Sequence, residues 1–397
     1  MESIYKNYNR LIDATNSHHF RYLYKDIEWS NRLIGITGAR GTGKTTMILQ
    51  HIKSTFSDRS KALYVSLDNI WFTKNSLIDL ADRFYAYGGT HLFIDEVHRY
   101  PNWSIEIKNI YDSYPDLSVV FTGSSILEIY KSNADLSRRA ISYHLSGLSF
   151  REYLNFELDL DFQPYTLEQI LANHQNIVSE VVSKIKVLPQ FDNYLQWGYY
   201  PFYKESVNSY GARLQNVVNI ILENDLPSVE KIEYNTIIKI KKMLVILSSL
   251  VPYTPNLTSL SAEIETNRAS TIKYLGFLHK AGLIRMLQGE GCGMSLMNKP
   301  EKIYLDNSNI IYALSIANVN MGNIRETFFA NQCSVLHKVT ASKKGDFIVA
   351  DRYTFEVGGK SKSYKQIKDL ADSFIAMGDV EYGFGNKIPL WLFGFMY

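Results

Sequence analysis

Apolar runs alternate with amphipathic stretches over the first third of the chain, and this pattern predicts a parallel sheet. Five short apolar runs indicate strands, at residues 32–37, 62–67, 91–95, 117–122 and 141–145. Helical patterns lie between most of them, and strands that alternate with helices are typical of a doubly wound α/β sheet. Because ligands bind at the carboxyl ends of the strands in such a sheet, we expect a functional site at that edge.

The rest of the chain carries helical patterns and then a mixed region. Helical patterns lie near residues 166–187 and 207–223. Residues 235–288 predict three helices that begin near Ile238, Leu257 and Asn267, followed by a strand at 283–287. This order of elements predicts a winged helix.

The third helix of that region carries candidate DNA-reading residues. Its predicted core side holds Ile272, Leu275 and Leu278. The residues expected to face a major groove are Arg268, Ser270, Thr271, Lys273 and Tyr274, with Lys280 at a phosphate. The alternative is a winged helix that contacts protein instead of DNA.

Composition and charge narrow the class of protein. The chain has 397 residues with 42 basic and 40 acidic side chains, so its formal net charge is +2 and it is not a general polyanion binder. At about 100–200 residues per domain, this length predicts two to four domains. Its two cysteines, Cys292 and Cys333, exclude a disulfide framework. The longest apolar run, 388–397, is shorter than the ~18 residues of a membrane span, and no signal peptide is evident, so we expect a cytoplasmic protein.

A glycine-rich segment follows the first predicted strand. It runs from Gly38 to Thr46, and Gly38, Gly43, Lys44 and Thr45 fill the template G-x-x-x-x-G-K-[ST]. Glycines let the backbone N–H groups face phosphates, and the helix that follows directs its positive end at the same anion. Lys44 is expected to reach the terminal phosphates of ATP and Thr45 to bind Mg²⁺. The predicted nucleotide-binding residues are Gly38, Arg40, Gly41, Thr42, Gly43, Lys44, Thr45 and Thr46.

Polar residues end the third and fourth predicted strands. Asp95 is expected to hold Mg²⁺, and Glu96, one residue on, to polarise the attacking water. A solvated strand end is the alternative for this pair. After the fourth strand, Ser124 is the candidate sensor of the γ-phosphate, with Thr122 second, and the alternative for Ser124 is a helix cap.

These motifs resemble those of a known family. Residues 30–155 resemble the bacterial and archaeal AAA-type predicted ATPases that carry a C-terminal domain of unknown function, the DUF4143 group. The resemblance rests on the segments Arg32–Thr46, Phe93–Val97, Pro101–Trp103, Phe121–Ser125 and Leu148–Leu154. It extends over nearly the whole chain, but the specific motifs lie in the ATPase third.

The resemblance also points to an arginine before the fifth strand. Arg139 matches that position, with Arg138 beside it. An arginine there acts on the γ-phosphate of its own site or of a neighbouring subunit. A surface arginine is the alternative.

The C-terminal pattern resembles the restriction-endonuclease-like fold, with a helix from Ile324, two strands and a helix from Lys365. The site of that fold is D-x(n)-E-x-K, in which two carboxylates bind Mg²⁺ and a lysine steadies the attacking water. Asp346 and Glu356 match the carboxylates, and Glu326 matches an upstream helix acid.

The lysine of this motif does not match. Gly358 occupies its position, and Lys360 lies two residues further on. Only a bulge at Gly358–Gly359 returns Lys360 to the site. We therefore expect a degenerate nuclease-like site with little or no DNA cleavage.

Together these observations predict an α/β chain of four parts: a P-loop ATPase domain at 1–155, a helical connector at 156–234, a winged helix at 235–298 and a nuclease-like DUF4143 domain at 299–397. The predicted function is a Mg²⁺-dependent, ATP-hydrolysing switch or motor that acts on double-stranded DNA. The alternatives are an ATP-regulated, metal-dependent nuclease and a protein-interaction switch that does not bind DNA. The sequence leaves a homo-oligomer and a separate protein partner open.

Overall fold

The computed structural model divides the chain into two compact units. It describes residues 1–123, 136, 138–229, 232–290, 300–315, 319–362 and 366–397. The first unit is Met1–Gly147 with Glu223–Lys231, and the second is Leu148–Leu222 with Ile232–Tyr397. Residues 148–155, which the sequence analysis places in the ATPase domain, therefore belong to the second unit.

The first unit contains a five-stranded parallel sheet, as the apolar runs predict. Its strands are β1 (Leu33–Thr37), β2 (Ala62–Ser66), β3 (His91–Asp95), β4 (Ser118–Gly123) and β5 (Ile141–His144). Their order across the sheet is β2-β3-β4-β1-β5. Strand β4 thus lies between the strand before the glycine-rich segment and the strand that ends in Asp95. Side chains at the end of β4 are placed to reach both neighbours.

Helices flank this sheet and explain why its strands are continuous apolar runs. They are α1 (Glu2–Ala14), α2 (Lys44–Thr55), α3 (Leu77–Ala86) and α4 (Trp103–Ser113). Ile4, Tyr8 and Ile12 of α1 recur every four residues and are all buried, so they form one inner face. Parallel strands that are covered on both faces bury nearly every side chain, and β1 does so over its first four residues.

The second unit begins with helices. They are α5 (Phe150–Leu158), α6 (Leu167–Lys184), α7 (Val187–Asn193) and α8 (Tyr210–Ile220), and α6 and α8 lie where the sequence predicts helices. The family-like segment Leu148–Leu154 forms the start of α5. There Ser149 caps the helix with Glu152, while Ser149 Oγ and Arg151 Nε donate to the Tyr397 oxygen at 2.6 and 2.8 Å. This segment therefore anchors the end of the described chain within the second unit.

Three further helices and a strand lie where the winged-helix pattern predicts them. A short helix, α9 (Leu226–Val229), precedes them and belongs to the first unit. The three helices are α10 (Tyr234–Leu250), α11 (Leu257–Glu263) and α12 (Arg268–Lys280), and the strand is β6 (Ile284–Leu287). Strand β7 (Lys302–Leu305) pairs antiparallel with β6. On α10, Ile237 and Ile240 are buried and belong to its inner face, whereas Ile238 and Leu250 are exposed.

Two of the expected DNA-reading residues are on the wrong face of α12. Thr271 and Tyr274 are buried, and the Oγ atoms of Thr271 and Ser261 are 2.8 Å apart. Thr271 Oγ1 also donates to the Asn267 carbonyl oxygen at 3.0 Å, so this polar side chain is satisfied inside the unit. Arg268 and Lys273 are exposed.

The C-terminal part of the second unit holds a mixed sheet behind two helices, α13 (Ser308–Leu314) and α14 (Met321–Cys333). Its strands are β8 (Val339–Ala341), β9 (Phe347–Val349), β10 (Tyr353–Gly358), β11 (Ser373–Met377) and β12 (Lys387–Pro389). Strand β11 pairs parallel with both β10 and β12, whereas β9 pairs antiparallel with both β8 and β10. Helix α14 packs on β10.

Some expectations about this part are not met or lie outside the described residues. The helix expected from Lys365 starts outside them, and the described residues 367–372 form turns instead of an α-helix. Cys333 is buried, whereas Cys292 lies outside the described residues. Over the described ranges, we find no helix that is both long and apolar enough to cross a membrane.

Candidate functional site

The glycine-rich segment forms a tight loop between β1 and α2. Gly38, Gly41 and Gly43 have φ values of 151°, 85° and 95°, which L side chains rarely adopt. A Cβ on Gly38 would also lie 2.3 Å from the Leu145 carbonyl oxygen. The loop therefore needs glycine at these positions to take this shape, as the template implies.

Lys44 lies inside the loop that precedes it. Its Nζ donates to the carbonyl oxygens of Gly38 and Ala39, both at 2.9 Å. Burial lowers the pKa of Lys44, and the nearby charges of Glu96 and Asp95 oppose this effect. An ammonium group that is 5% exposed and surrounded by the loop is suited to bind phosphate oxygens there.

The Asp95 carboxylate accepts hydrogen bonds from three hydroxyl groups. Its Oδ2 accepts from Thr45 Oγ1 at 2.6 Å and from Tyr64 OH at 2.8 Å, and its Oδ1 accepts from Thr122 Oγ1. Burial and the charge of Asp95 raise the pKa of Tyr64 far above its ordinary value, so Tyr64 stays a hydrogen-bond donor. Four elements, α2, β2, β3 and β4, thus position one carboxylate at the carboxyl edge of the sheet.

Glu96 follows in a left-handed backbone conformation, with φ 55°. Its Oε2 lies 3.3 Å from Arg40 Nη2 and 3.3 Å from His98 Nε2. Its backbone N–H donates to Asp95 Oδ1 at 3.1 Å. The structure therefore brings together Arg40 of the loop and Glu96, as the two motifs predict, and adds His98.

A buried arginine, Arg21, stabilises the loop by a hydrogen bond to its backbone. Arg21 donates to the carbonyl oxygen of Thr42, and its Nη2 donates to the carbonyl oxygens of Ser146 and Gly147 at 2.8 and 2.9 Å. These contacts orient the Thr42 peptide, and Thr42 Oγ1 donates to the Ala39 oxygen at 2.9 Å. Among the remaining predicted loop residues, Gly41 and Thr46 are exposed.

Arg21, Tyr64, His98 and Asp225 are site residues that the sequence analysis missed. His98 could have been found from its position directly after the acidic strand end. The other three come from distant parts of the chain, and no local pattern marks them. Asp225 lies beside Arg40, His98 and Arg99.

One other candidate, Arg139, is not brought to this site. Arg139 pairs with Asp112 through Nε and Nη2 at 2.9 and 3.1 Å. Both residues lie at the amino edge of the parallel sheet, just before β5 and near the end of α4, which is the edge opposite the loop. A role of Arg139 in a neighbouring subunit stays a prediction, and Ser124 lies outside the described residues.

The nuclease-like acids of the second unit lie among lysines. Lys362 Nζ is 2.6 Å from Glu356 Oε1, and Lys302 Nζ is 3.6 Å from Asp346 Oδ1 and 3.8 Å from Glu326 Oε2. Burial and the charge of Asp346 raise the pKa of Glu326. This arrangement is a cluster of three carboxylates and two ammonium groups at β7, α14 and β10.

Lys362, which the sequence analysis did not consider, is the lysine that contacts Glu356. A Cβ on Gly358 would lie 2.6 Å from Cγ and Cδ of Lys362, so the lysine stem passes over the position where a side chain of residue 358 would begin. The chain turns back after β10, and Lys362 N–H donates to the Gly359 oxygen at 3.0 Å. Lys360, the expected substitute, is exposed and lines a separate small cavity with Arg325.

Comparison with known proteins supports the class of the first unit. Residues 30–154 match a family model described as an AAA domain, which supports an AAA-type ATPase domain. The chain is also 27% identical over 414 residues to the uncharacterized protein MJ1637 of Methanocaldococcus jannaschii, over 95% of this chain and 86% of that protein. The DUF4143 part of the resemblance stays a prediction.

Solved structures show distant likenesses. One is AMPPCP-bound DnaA from Aquifex aeolicus, with a TM-score of 0.27 and 13% identity over 65% of this chain and 84% of that chain. Another is PCH-2 of C. elegans, with a TM-score of 0.27 and 18% identity over 45% of this chain and 55% of that chain.

Proposed function

We propose that the first unit binds ATP with Mg²⁺ and hydrolyses it. The observation that carries this proposal is the hydrogen bond of 2.6 Å between Thr45 Oγ1 and Asp95 Oδ2. It joins the start of the helix after the phosphate loop to the acidic end of β3. The two sequence motifs therefore form one site, as nucleotide hydrolysis requires.

The loop residues bind the triphosphate. The three left-handed glycines curve the loop so that its N–H groups and the first turn of α2 face one anion. Lys44 exchanges the loop carbonyl oxygens for phosphate oxygens, and Arg40 adds a second positive charge on the Glu96 side. Arg21 keeps the loop in this shape, because its bond to the Thr42 oxygen fixes a peptide within it.

The residues present fit a magnesium ion. Mg²⁺ prefers hard oxygen ligands, and the Thr45 hydroxyl and the Asp95 carboxylate are adjacent. We assign these two residues to hold the ion, which when bound neutralises charge on the phosphates. Tyr64 and Thr122 orient the Asp95 carboxylate through their hydroxyl groups.

Glu96 is the proposed general base. It accepts a proton from water, the water oxygen bonds to the γ-phosphorus, and the bond from that phosphorus to the bridging oxygen breaks with its electrons leaving on ADP. Arg40 and His98 fix the position of the Glu96 carboxylate. The test is phosphate release from ATP by the full chain, with and without Mg²⁺. Asp95→Asn is expected to raise the Mg²⁺ concentration needed for half-maximal rate, and an unchanged requirement counts against the metal assignment.

We further propose that hydrolysis drives a switch or motor that acts on double-stranded DNA through residues 235–298. The order of helices and strands in this region supports a winged helix, and Arg268 and Lys273 are exposed on its third helix. With Thr271 and Tyr274 buried, the reading set is reduced to Arg268, Ser270 and Lys273. Measuring the ATPase rate with and without duplex DNA tests this step, and equal rates favour a protein partner instead.

A second candidate function gains support from Lys362. The expectation of little cleavage rested on Gly358, and Lys362 now supplies an ammonium group 2.6 Å from Glu356. Asp346 and Glu356 are the carboxylates that would hold Mg²⁺ for phosphodiester cleavage. The ion would have to displace Lys302 from Asp346. Cleavage of DNA with Mg²⁺ or Mn²⁺ that both Asp346→Ala and Glu356→Ala abolish would establish this activity.

A further inference from the structure

Asp225 is a buried acid that the hydrolysis scheme above does not use. Its side chain is 4% exposed, and its carboxylate lies 3.0 Å from Arg99 Nη2, 3.7 Å from Arg40 Nε and 3.7 Å from His98 Nε2. Burial acts to raise the pKa of Asp225, but the nearby imidazole of His98 and the charges of Arg40 and Arg99 bring the pKa below its ordinary value. Asp225 is therefore a buried carboxylate anion.

Two of these three side chains are shared with Glu96. Arg40 Nη2 and His98 Nε2 each lie 3.3 Å from Glu96 Oε2. Two carboxylates thus divide the same two side chains between them. In a network of shared contacts of this kind, loss of one partner shifts the remaining contacts onto the other. The charge of Asp225 therefore affects how firmly Arg40 and His98 hold Glu96.

The same network extends to the phosphate loop. Arg40 is part of that loop, and Asp225 is close enough for its charge to act on the Lys44 ammonium group. A buried negative charge beside the phosphate site opposes the binding of a polyanion. Asp225 therefore acts on ATP binding and on Glu96 at the same time.

The position of Asp225 in the chain is unusual. The segment Glu223–Lys231 is counted with the first unit, although the chain before and after it belongs to the second. Asp225 precedes α9 in this segment. The first unit thus obtains one acid from a distant part of the sequence, and that acid lies beside Arg40 and His98, the side chains that contact Glu96.

We propose that Asp225 is a positioning residue for ATP hydrolysis that acts through Arg40 and His98. Its carboxylate draws these two side chains partly away from Glu96 and leaves Glu96 able to accept the proton of water. The same charge weakens ATP binding. This inference rests on the proposed function.

Asp225→Asn in the full chain tests the inference, because it keeps the shape and removes the charge. The kcat for ATP is expected to fall about tenfold while KM falls severalfold. Structural damage would instead raise KM or lower the melting temperature without tightening ATP binding. The control is Asp13→Asn, which removes the carboxylate of the exposed pair with Arg59, 2.8 Å apart, and leaves kcat and KM unchanged.

A second variant, Arg99→Gln, is expected to change KM in the opposite direction. Arg99 contacts Asp225, and Arg99→Gln places the charge of Asp225 wholly on Arg40 and His98. KM is expected to rise and kcat to stay at or above that of the wild type. If Asp225→Asn does not fold, the kcat and KM of Arg99→Gln test the role of Asp225 instead.

The outcomes separate the two proposals. Unchanged kcat and KM in Asp225→Asn, or a fall in kcat with a raised KM, overturns the role of Asp225. A fall in kcat in Arg99→Gln does the same. A wild-type chain that releases no phosphate contradicts the proposed function instead, and calorimetry with Mg²⁺ and ATP then decides the binding half of the inference. Tighter binding by Asp225→Asn supports it, and equal or weaker binding overturns it.

Discussion

Thr45 and Asp95 are in direct contact, with Oγ1 and Oδ2 2.6 Å apart, although strand β4 separates the strands that lead to them. Thr122 at the end of β4 closes the gap by donating to the second oxygen of Asp95. This sheet order brings together polar side chains from the ends of β3 and β4 and from the start of α2, the helix that follows β1. The proposed magnesium ligands are thus set by the topology of the sheet.

Lys44→Ala is expected to abolish ATP affinity while the fold is kept. The Lys44 ammonium group donates to the loop carbonyl oxygens of Gly38 and Ala39, so its loss removes the phosphate ligand without opening the apolar core. Calorimetric titration with ATP measures the affinity, and the melting temperature reports the fold. Lys61→Ala is the matched control, because Lys61 donates to a surface carbonyl oxygen of Gly88. Affinity equal to that of the wild type would refute the assignment of the loop.

Lys362→Ala is expected to destabilise the second unit by about 3 kcal/mol, because it leaves the Glu356 carboxylate buried without its cation. Urea denaturation of the full chain gives the free energy of unfolding. Lys360→Ala is the control, since Lys360 is exposed, and it should change stability little. The double variant Lys362→Met with Glu356→Gln is expected to recover part of the loss. If Lys362→Ala and Lys360→Ala are equally stable, the ion pair of Lys362 contributes nothing.

Arg268→Ala together with Lys273→Ala is expected to weaken duplex DNA binding, by roughly 1–3 kcal/mol for each base-directed contact. Both residues are exposed on α12, and contacts to phosphates make the affinity fall steeply with salt. A salt titration of duplex binding compares this variant with Lys6→Ala plus Arg10→Ala, which removes the same charge from α1. Equal affinities and salt slopes in wild type and the α12 variant would exclude α12 as the DNA reader.

The sequence predicts the first sheet and the loop because their signals are local. Strands β1 to β4 are short, mostly apolar and buried runs, and the spacing from Gly38 to Thr45 is fixed by phosphate geometry. The contacts of Asp95 with Thr45 and Thr122 follow from strand order, which periodicity does not give. Asp225 has no local signal at all, since only the folded chain brings it to Arg40.

Errors in the second unit have equally specific causes. The motif rule seeks the lysine on the same strand as Glu356, whereas the chain turns back at Gly359 and supplies Lys362 from beyond the strand. Thr271 is polar and was therefore expected on the outer face of α12. Its hydroxyl group finds a partner in Ser261 inside the unit, and a sequence pattern does not show such pairs.

The most direct test of the central claim compares phosphate release by the wild-type chain and by Glu96→Gln at saturating ATP and Mg²⁺. The amide cannot accept the proton of water, so the rate is expected to fall by about 10²–10⁴-fold while calorimetry shows ATP still bound. Glu2→Gln, which removes an exposed carboxylate that pairs with Lys6 on α1, controls for the loss of a carboxylate. Absence of phosphate release by the wild type, or an equal rate in Glu96→Gln, would contradict the account.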